Sequence, residues 1–164
     1  MNASLLAALR LLFAIILLFP LFLHQLRLHP DIDGWESWRR AWIPGIFLGV
    51  HFITWNMGAR LTLAGHGTLI VNMVPVVLPI MLWLTHREAV SKPEWLATGA
   101  SMLGIGWLAL HDYHFSKDYL AGDLICLLSM GFFAAYLSMG RKNRYSRSIF
   151  LYIYPVYAVA FVIC

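Results

Sequence analysis

Six continuous apolar runs separated by short polar stretches make up most of the chain: residues 5–23, 43–61, 68–84, 95–110, 120–139 and 149–164. None alternates apolar and polar positions as a half-buried strand does, so each reads as a helix. The third and fourth runs are joined only by the polar turn 85–93, which places them side by side and antiparallel as a helical hairpin. The sixth run, with 16 residues, reaches only about 24 Å at 1.5 Å per residue, short of the ~30 Å hydrocarbon core. It ends without a polar anchor, so the chain is expected to stop inside a helix.

The first run follows the initiator Met as a signal peptide would. It is longer than a signal core, lacks a basic leader and ends in Phe22, Leu23, His24 and Gln25 rather than in small residues, so it is expected to be a span. Residues 25–42, with Asp31, Asp33, Trp35, Trp38, Arg39 and Arg40, read as an interfacial loop with aromatic anchors. Trp83, Trp95, Trp107, Tyr113 and Tyr119 likewise fall near expected interfaces.

Composition strengthens the membrane reading. Hydrophobic residues make up 60% of the chain and charged residues 12%, with a mean hydropathy of +0.70. A soluble domain carries about a quarter charged residues. In lipid the backbone satisfies its polar groups only in helices or closed barrels. The expected fold class is therefore an all-α membrane protein, a bundle of about six transmembrane helices matching the six runs.

The net charge of +4 does not point to nucleic acid, because the basic residues sit in short loops between apolar runs. Nine of the twelve Lys and Arg lie after the first, third and fifth runs, while Arg60 and Lys117 lie in the opposite loops and Arg10 in the first run. The positive-inside rule then places the hairpin turn in the cytoplasm and the amino terminus outside. An outside amino terminus would be explained by a preceding span, so the chain is expected to be a fragment of a larger protein. Cys126 and Cys164 lie in apolar runs without metal-ligand spacing and read as small packing residues.

Several segments carry a family resemblance. Leu63-Ala64-Gly65, Asn72-Met73-Val74-Pro75, Arg87-Glu88, Trp95 to Gly99 and Leu103-Gly104 resemble the EamA domain of the drug/metabolite transporter superfamily. In that family an Ala-Gly step opens a helix, a proline sits at its middle, a Gly-Glu pair closes it, and a Trp-led helix with two glycines follows. Leu5 to Leu12 around Arg10 is similar to the family's second helix. Ala121-Gly122-Asp123-Leu124, Ala135-Tyr136-Leu137 and Gly140-Arg141-Lys142 look like the start of its second repeat.

The resemblance implies helices two to seven of a ten-helix, 5+5 inverted-repeat transporter. Residues 1–111 would form a partial first repeat of four spans, and 120–164 the start of the second. The chain departs from the family pattern where His86-Arg87 replaces the usual Gly before Glu88, and in its several histidines.

Transporters hold substrate near the bilayer midplane, where polar side chains are costly and become functional candidates. On the second run Gly45, Gly49, Phe52 and Asn56 share one helical face, and His51, Thr54, Trp55 and Gly58 share nearly the opposite one. The Gly45/Gly49 pair suits close helix packing. The other face is expected to look into the cavity, with His51 at mid-depth and able to carry a proton near neutral pH.

Asn72 and Arg10 complete the substrate-cavity candidates His51, Thr54, Trp55, Asn72 and Arg10, although Arg10 equally suits interfacial anchoring by snorkelling. Pro75 and Pro79 each free an upstream carbonyl, either for substrate or simply to kink the helix. Gly99 and Gly104, within a small-residue stripe, are expected to pack the fourth run against the third. Asp123 reads as complementing the dipole of the helix it opens.

No nucleophile, phosphate loop or paired carboxylate argues for an enzyme, and no cofactor is expected. The expected function is a fragment of a secondary transporter, permease or exporter, for small metabolites such as amino acids or related compounds. Its place is the cytoplasmic membrane, as a multi-pass protein. Its partners would be the lipid bilayer, a small-molecule substrate, and either a second copy or the remaining helices of a full-length protein. Two rivals stand beside it. One is a small oligomeric assembly protein without transport, and the other a metal- or haem-binding membrane protein, with zinc or copper on His66, His111 and His114 beside Asp112 and Asp118, or haem on His51 with another histidine.

Overall fold

The computed structural model describes residues 3–30, 34–87, 90–112, 117–142 and 148–164. Among them the chain forms seven helices: α1 (Ala3–Leu28), α2 (Gly34–Leu61), α3 (Ala64–Val71), α4 (Val74–His86), α5 (Lys92–Asp112), α6 (Leu120–Lys142) and α7 (Ile149–Ile163). No strand occurs among the described residues, as the unbroken apolar runs predict.

Three stretches are long and apolar enough to cross a membrane, Leu5–Leu28, Ala64–Leu84 and Leu120–Arg141, and Ile149–Ile163 is a shorter apolar helix. Although α2 and α5 are as long, neither belongs to this set. Residues such as His51, Thr54 and Asn56 in α2, and Thr98 and Ser101 in α5, lower their apolarity. Broad apolar surfaces face outward, as on α1 at Phe13 and Leu17 and on α5 at Leu96 and Leu103, which suits contact with lipid chains.

The chain divides into two compact units, one of residues 1–53 with 139–164 and the other of residues 54–138. In the first, α1 and α7 pack together around aromatic side chains. Tyr154 stacks on Phe22 with ring centroids 4.3 Å apart, and Trp38 meets the same ring edge-on at 6.4 Å. The start of α2 leans on α7 through two glycines. A Cβ on Gly45 would stand 2.6 Å from Val159 Cβ, and one on Gly49 would stand 3.0 Å from Ile163 Cβ and 3.1 Å from the Ala160 carbonyl oxygen. The short helix α7 is thus central to this unit, with Leu151, Pro155, Val156, Val159 and Ala160 all buried.

The interfacial loop expected at 25–42 is not what forms. Helix α1 continues to Leu28, and α2 begins at Gly34, nine residues before the expected span. Charge pairing explains the extra turns: Glu36 bonds Arg40 one turn on at 2.9 Å and lies 3.4 Å from Arg39. Trp38, on the same turns, reaches Tyr154, while Trp35 and Trp42 stay exposed.

In the second unit, the expected span 68–84 starts earlier and is broken. The helix opens at Ala64, stops at Val71 and restarts at Val74. Pro75 has no N–H to donate to Val71, and prolines are tolerated in the first turn of a helix, so the break falls just before it. Asn72 closes α3 from its own C-cap position, its Nδ2 donating to the Thr68 carbonyl at 2.8 Å.

Helix α4 ends on Arg87 in the left-handed conformation, φ 51° and ψ 27°, with its N–H bonded to the Trp83 carbonyl. This is the position where the resembling family carries Gly, and the backbone gives the reason, since a side chain there costs about 1–2 kcal/mol. Arg87→Gly is expected to stabilise the protein by about 1 kcal/mol, readable as a higher thermal unfolding midpoint. An unchanged or lower midpoint would contradict the cap.

Candidate functional site

Each unit carries part of the polar set. In the first, His51 is 4% exposed in the middle of α2, its ring tilted against Phe52 at 5.2 Å. Arg10 lies on the exposed side of α1. An imidazole so far from water needs hydrogen-bonding partners, which makes His51 a costly polar choice in the middle of α2.

In the second unit, Thr54 and Trp55 are half-buried, while Asn72 is exposed and spends an amide hydrogen on its own helix. Asn72 therefore acts first as a cap. Gly58, expected on the cavity face of α2, instead lies directly on α6. Its Cβ would come within 2.6 Å of Cys126 Sγ and 3.0 Å of the Gly122 carbonyl oxygen. Gly122 in turn rests on the α2 terminus, where a Cβ would meet Leu61 O and Thr62 N, both at 2.6 Å. Sequence period alone gave no sign of this crossing, because a lone Gly58 and a lone Gly122 become a motif only when paired across space.

The carbonyl freed by Pro79 also finds a use. Pro79 cannot donate to the Pro75 carbonyl, and Thr98 of α5 does so instead, its Oγ1 at 3.1 Å from Pro75 O. Thr98 is buried and ties α5 to α4. The expected packing through Gly99 and Gly104 does not occur among the described residues, since a Cβ at either would meet nothing within 4 Å. Thr98 faces α4, and glycines one and six residues further on project elsewhere. Thr98→Val, nearly isosteric, is expected to cost roughly 1–2 kcal/mol by orphaning that carbonyl, while Thr98→Ser keeps most of it. Equal unfolding midpoints for the Val and Ser variants would contradict this role.

A further cluster joins residues distant in sequence. Asp123, in the first turn of α6, accepts a hydrogen bond from Thr62 Oγ1 at 2.6 Å, and His66 Nδ1 lies 3.5 Å from the same carboxylate oxygen. His66 is 1% exposed and meets the Tyr119 ring edge-on at 6.0 Å. Asp123 thus does more than complement a helix dipole. The metal rival used His66 with His111 and His114. His114 and the side chains of His111 and Asp112 lie outside the described residues. Among the described residues no three His, Cys, Asp or Glu side chains gather as a metal site.

Comparison with known proteins bears on this arrangement. The EamA-like transporter family model matches residues 1–110, two thirds of the chain, from α1 nearly to the end of α5. The chain belongs to the EamA-like transporter family. It is accordingly a helical membrane protein of the drug/metabolite transporter type. No curated protein and no solved structure matches it. The EamA match encloses Arg10, His51, Thr54, Trp55 and Asn72, whereas Asp123 and the rest of α6 lie beyond it.

Proposed function

We propose that this chain forms the substrate path of a secondary transporter that moves small metabolites, such as amino acids or related compounds, across the cytoplasmic membrane. The observation that carries the reading is His51, a polar side chain 4% exposed at the middle of α2, inside the segment matched by a transporter family. Intramembrane polar residues persist chiefly where they serve a pathway. Thr54, Trp55, Asn72 and Arg10 are proposed to share that path, with Arg10 near its mouth. Residues 1–111 act as a partial first repeat and 120–164 as the opening of a second. The excess of Lys and Arg around the sequence junctions of α1 with α2, α4 with α5 and α6 with α7 supports a cytoplasmic turn between α4 and α5, and an extracytoplasmic amino terminus.

The test is a binding screen on the purified chain in lipid nanodiscs, with amino acids and related metabolites scored by the rise in unfolding midpoint. At least one compound is expected to bind saturably, and His51→Ala to bind it about tenfold more weakly, the loss of one charged or strong polar contact. A screen without a saturable ligand, or a ligand indifferent to His51, Thr54, Trp55 and Asn72 alike, would contradict the proposal.

A further inference from the structure

Asp123 lies inside an apolar span, Leu120–Arg141, yet among the described residues no Lys or Arg forms an ion pair with it. Its carboxylate is engaged on one side only. Oδ1 takes the Thr62 hydroxyl at 2.6 Å and stands 3.5 Å from His66 Nδ1. No described residue bonds Oδ2, and the side chain remains 15% exposed. An ionised carboxylate offers about four acceptor positions, so among the described residues one whole oxygen keeps its own for a further group.

The mounting is rigid. Gly122, the preceding residue, lies so close to the α2 terminus that no side chain fits, and Gly58 is seated the same way one turn before Thr62. The Thr62 hydroxyl therefore holds the carboxylate at a fixed place between two locked helices. Taking a carboxylate out of water without a countercharge is costly, and among the described residues no Lys or Arg supplies one. A divalent metal needs several anionic or imidazole ligands, and the described cluster supplies one carboxylate and one histidine. A compact organic cation needs fewer: one carboxylate oxygen for charge-assisted hydrogen bonds and, beside it, an aromatic face such as Tyr119, one helical turn before Asp123.

We propose that Asp123, fixed by Thr62 and flanked by His66, is a binding site for the ammonium group of a small organic substrate. Calling the ligand a substrate rests on the transporter reading above, but the site itself does not depend on transport.

Ethylammonium chloride is the probe, with acetamide as its neutral counterpart and sodium chloride at matched ionic strength as the inorganic cation. The chain in nanodiscs is expected to show a saturable rise in unfolding midpoint with ethylammonium only. Asp123→Asn, which keeps an oxygen for the Thr62 hydroxyl, is expected to bind ethylammonium at least about tenfold more weakly, while His66→Gln retains binding.

A second readout needs no variant: ethylammonium should perturb the carboxylate-stretch region of the infrared difference spectrum of the unmodified chain. No binding, equal effects of acetamide or sodium chloride, undiminished binding by Asp123→Asn, or a silent carboxylate region would each overturn the site. Failures of the two proposals look different. Binding at Asp123 without flux of any metabolite removes the transport reading and leaves the site, and metabolite flux untouched by Asp123→Asn does the reverse.

Discussion

Gly122→Ala is expected to destabilise the protein by on the order of 3 kcal/mol or more. The added Cβ would stand 2.6 Å from both Leu61 O and Thr62 N, and these are backbone atoms. A flexible side chain could swing away from such an intrusion, but a helix terminus cannot do so without moving α2 away from α6. That movement would also break the Thr62 to Asp123 hydrogen bond, since Asp123 is the next residue. The measurement is the unfolding midpoint in mild detergent or nanodiscs. Gly131→Ala on the same helix serves as the control, because nothing lies within 4 Å of its Cβ position. Equal midpoints for the two variants would remove the close crossing of α2 and α6.

The second large effect is at the other end of α2. Gly45→Ala is expected to cost about 2 kcal/mol, because the new methyl would stand 2.6 Å from Val159 Cβ, 2.7 Å from Val159 Cγ1 and 3.0 Å from the Val156 carbonyl oxygen. Val159 is buried, so it has no solvent into which to rotate. Gly49→Ala should cost less, since its nearest atoms are 3.0–3.1 Å away and a small shift of Ile163 relieves most of the contact. The order of the two midpoints is the decisive reading. A Gly49 variant less stable than the Gly45 variant would contradict the packing of α2 on α7.

The helices themselves were legible because apolar runs of this length have only one way to satisfy their backbone in lipid. The EamA resemblance was likewise legible from short segments such as Asn72 to Pro75 and Trp95 to Gly99. What remained hidden was which neighbour each side chain meets. Glu36, Arg39 and Arg40 resemble a loop by charge alone, although their spacing also suits helical ion pairs. Thr98 carries no signal in the sequence, because its role exists only through the proline-freed carbonyl of another helix. The Thr62 to Asp123 bond spans 61 positions, and no local pattern encodes such a distance. Conversely, the small-residue stripe at Gly99 and Gly104 looked like a packing face and lies open among the described residues, since small residues permit close approach without requiring it.

The most direct measurement is solute counterflow into proteoliposomes holding this chain, loaded with an unlabelled metabolite found to bind and diluted into trace labelled metabolite outside. A transporter accumulates label transiently above equilibrium, and His51→Ala should slow that rise about tenfold while leaving the protein folded. Label entering no faster than into protein-free liposomes, with the chain folded and the ligand bound, would contradict transport by this chain.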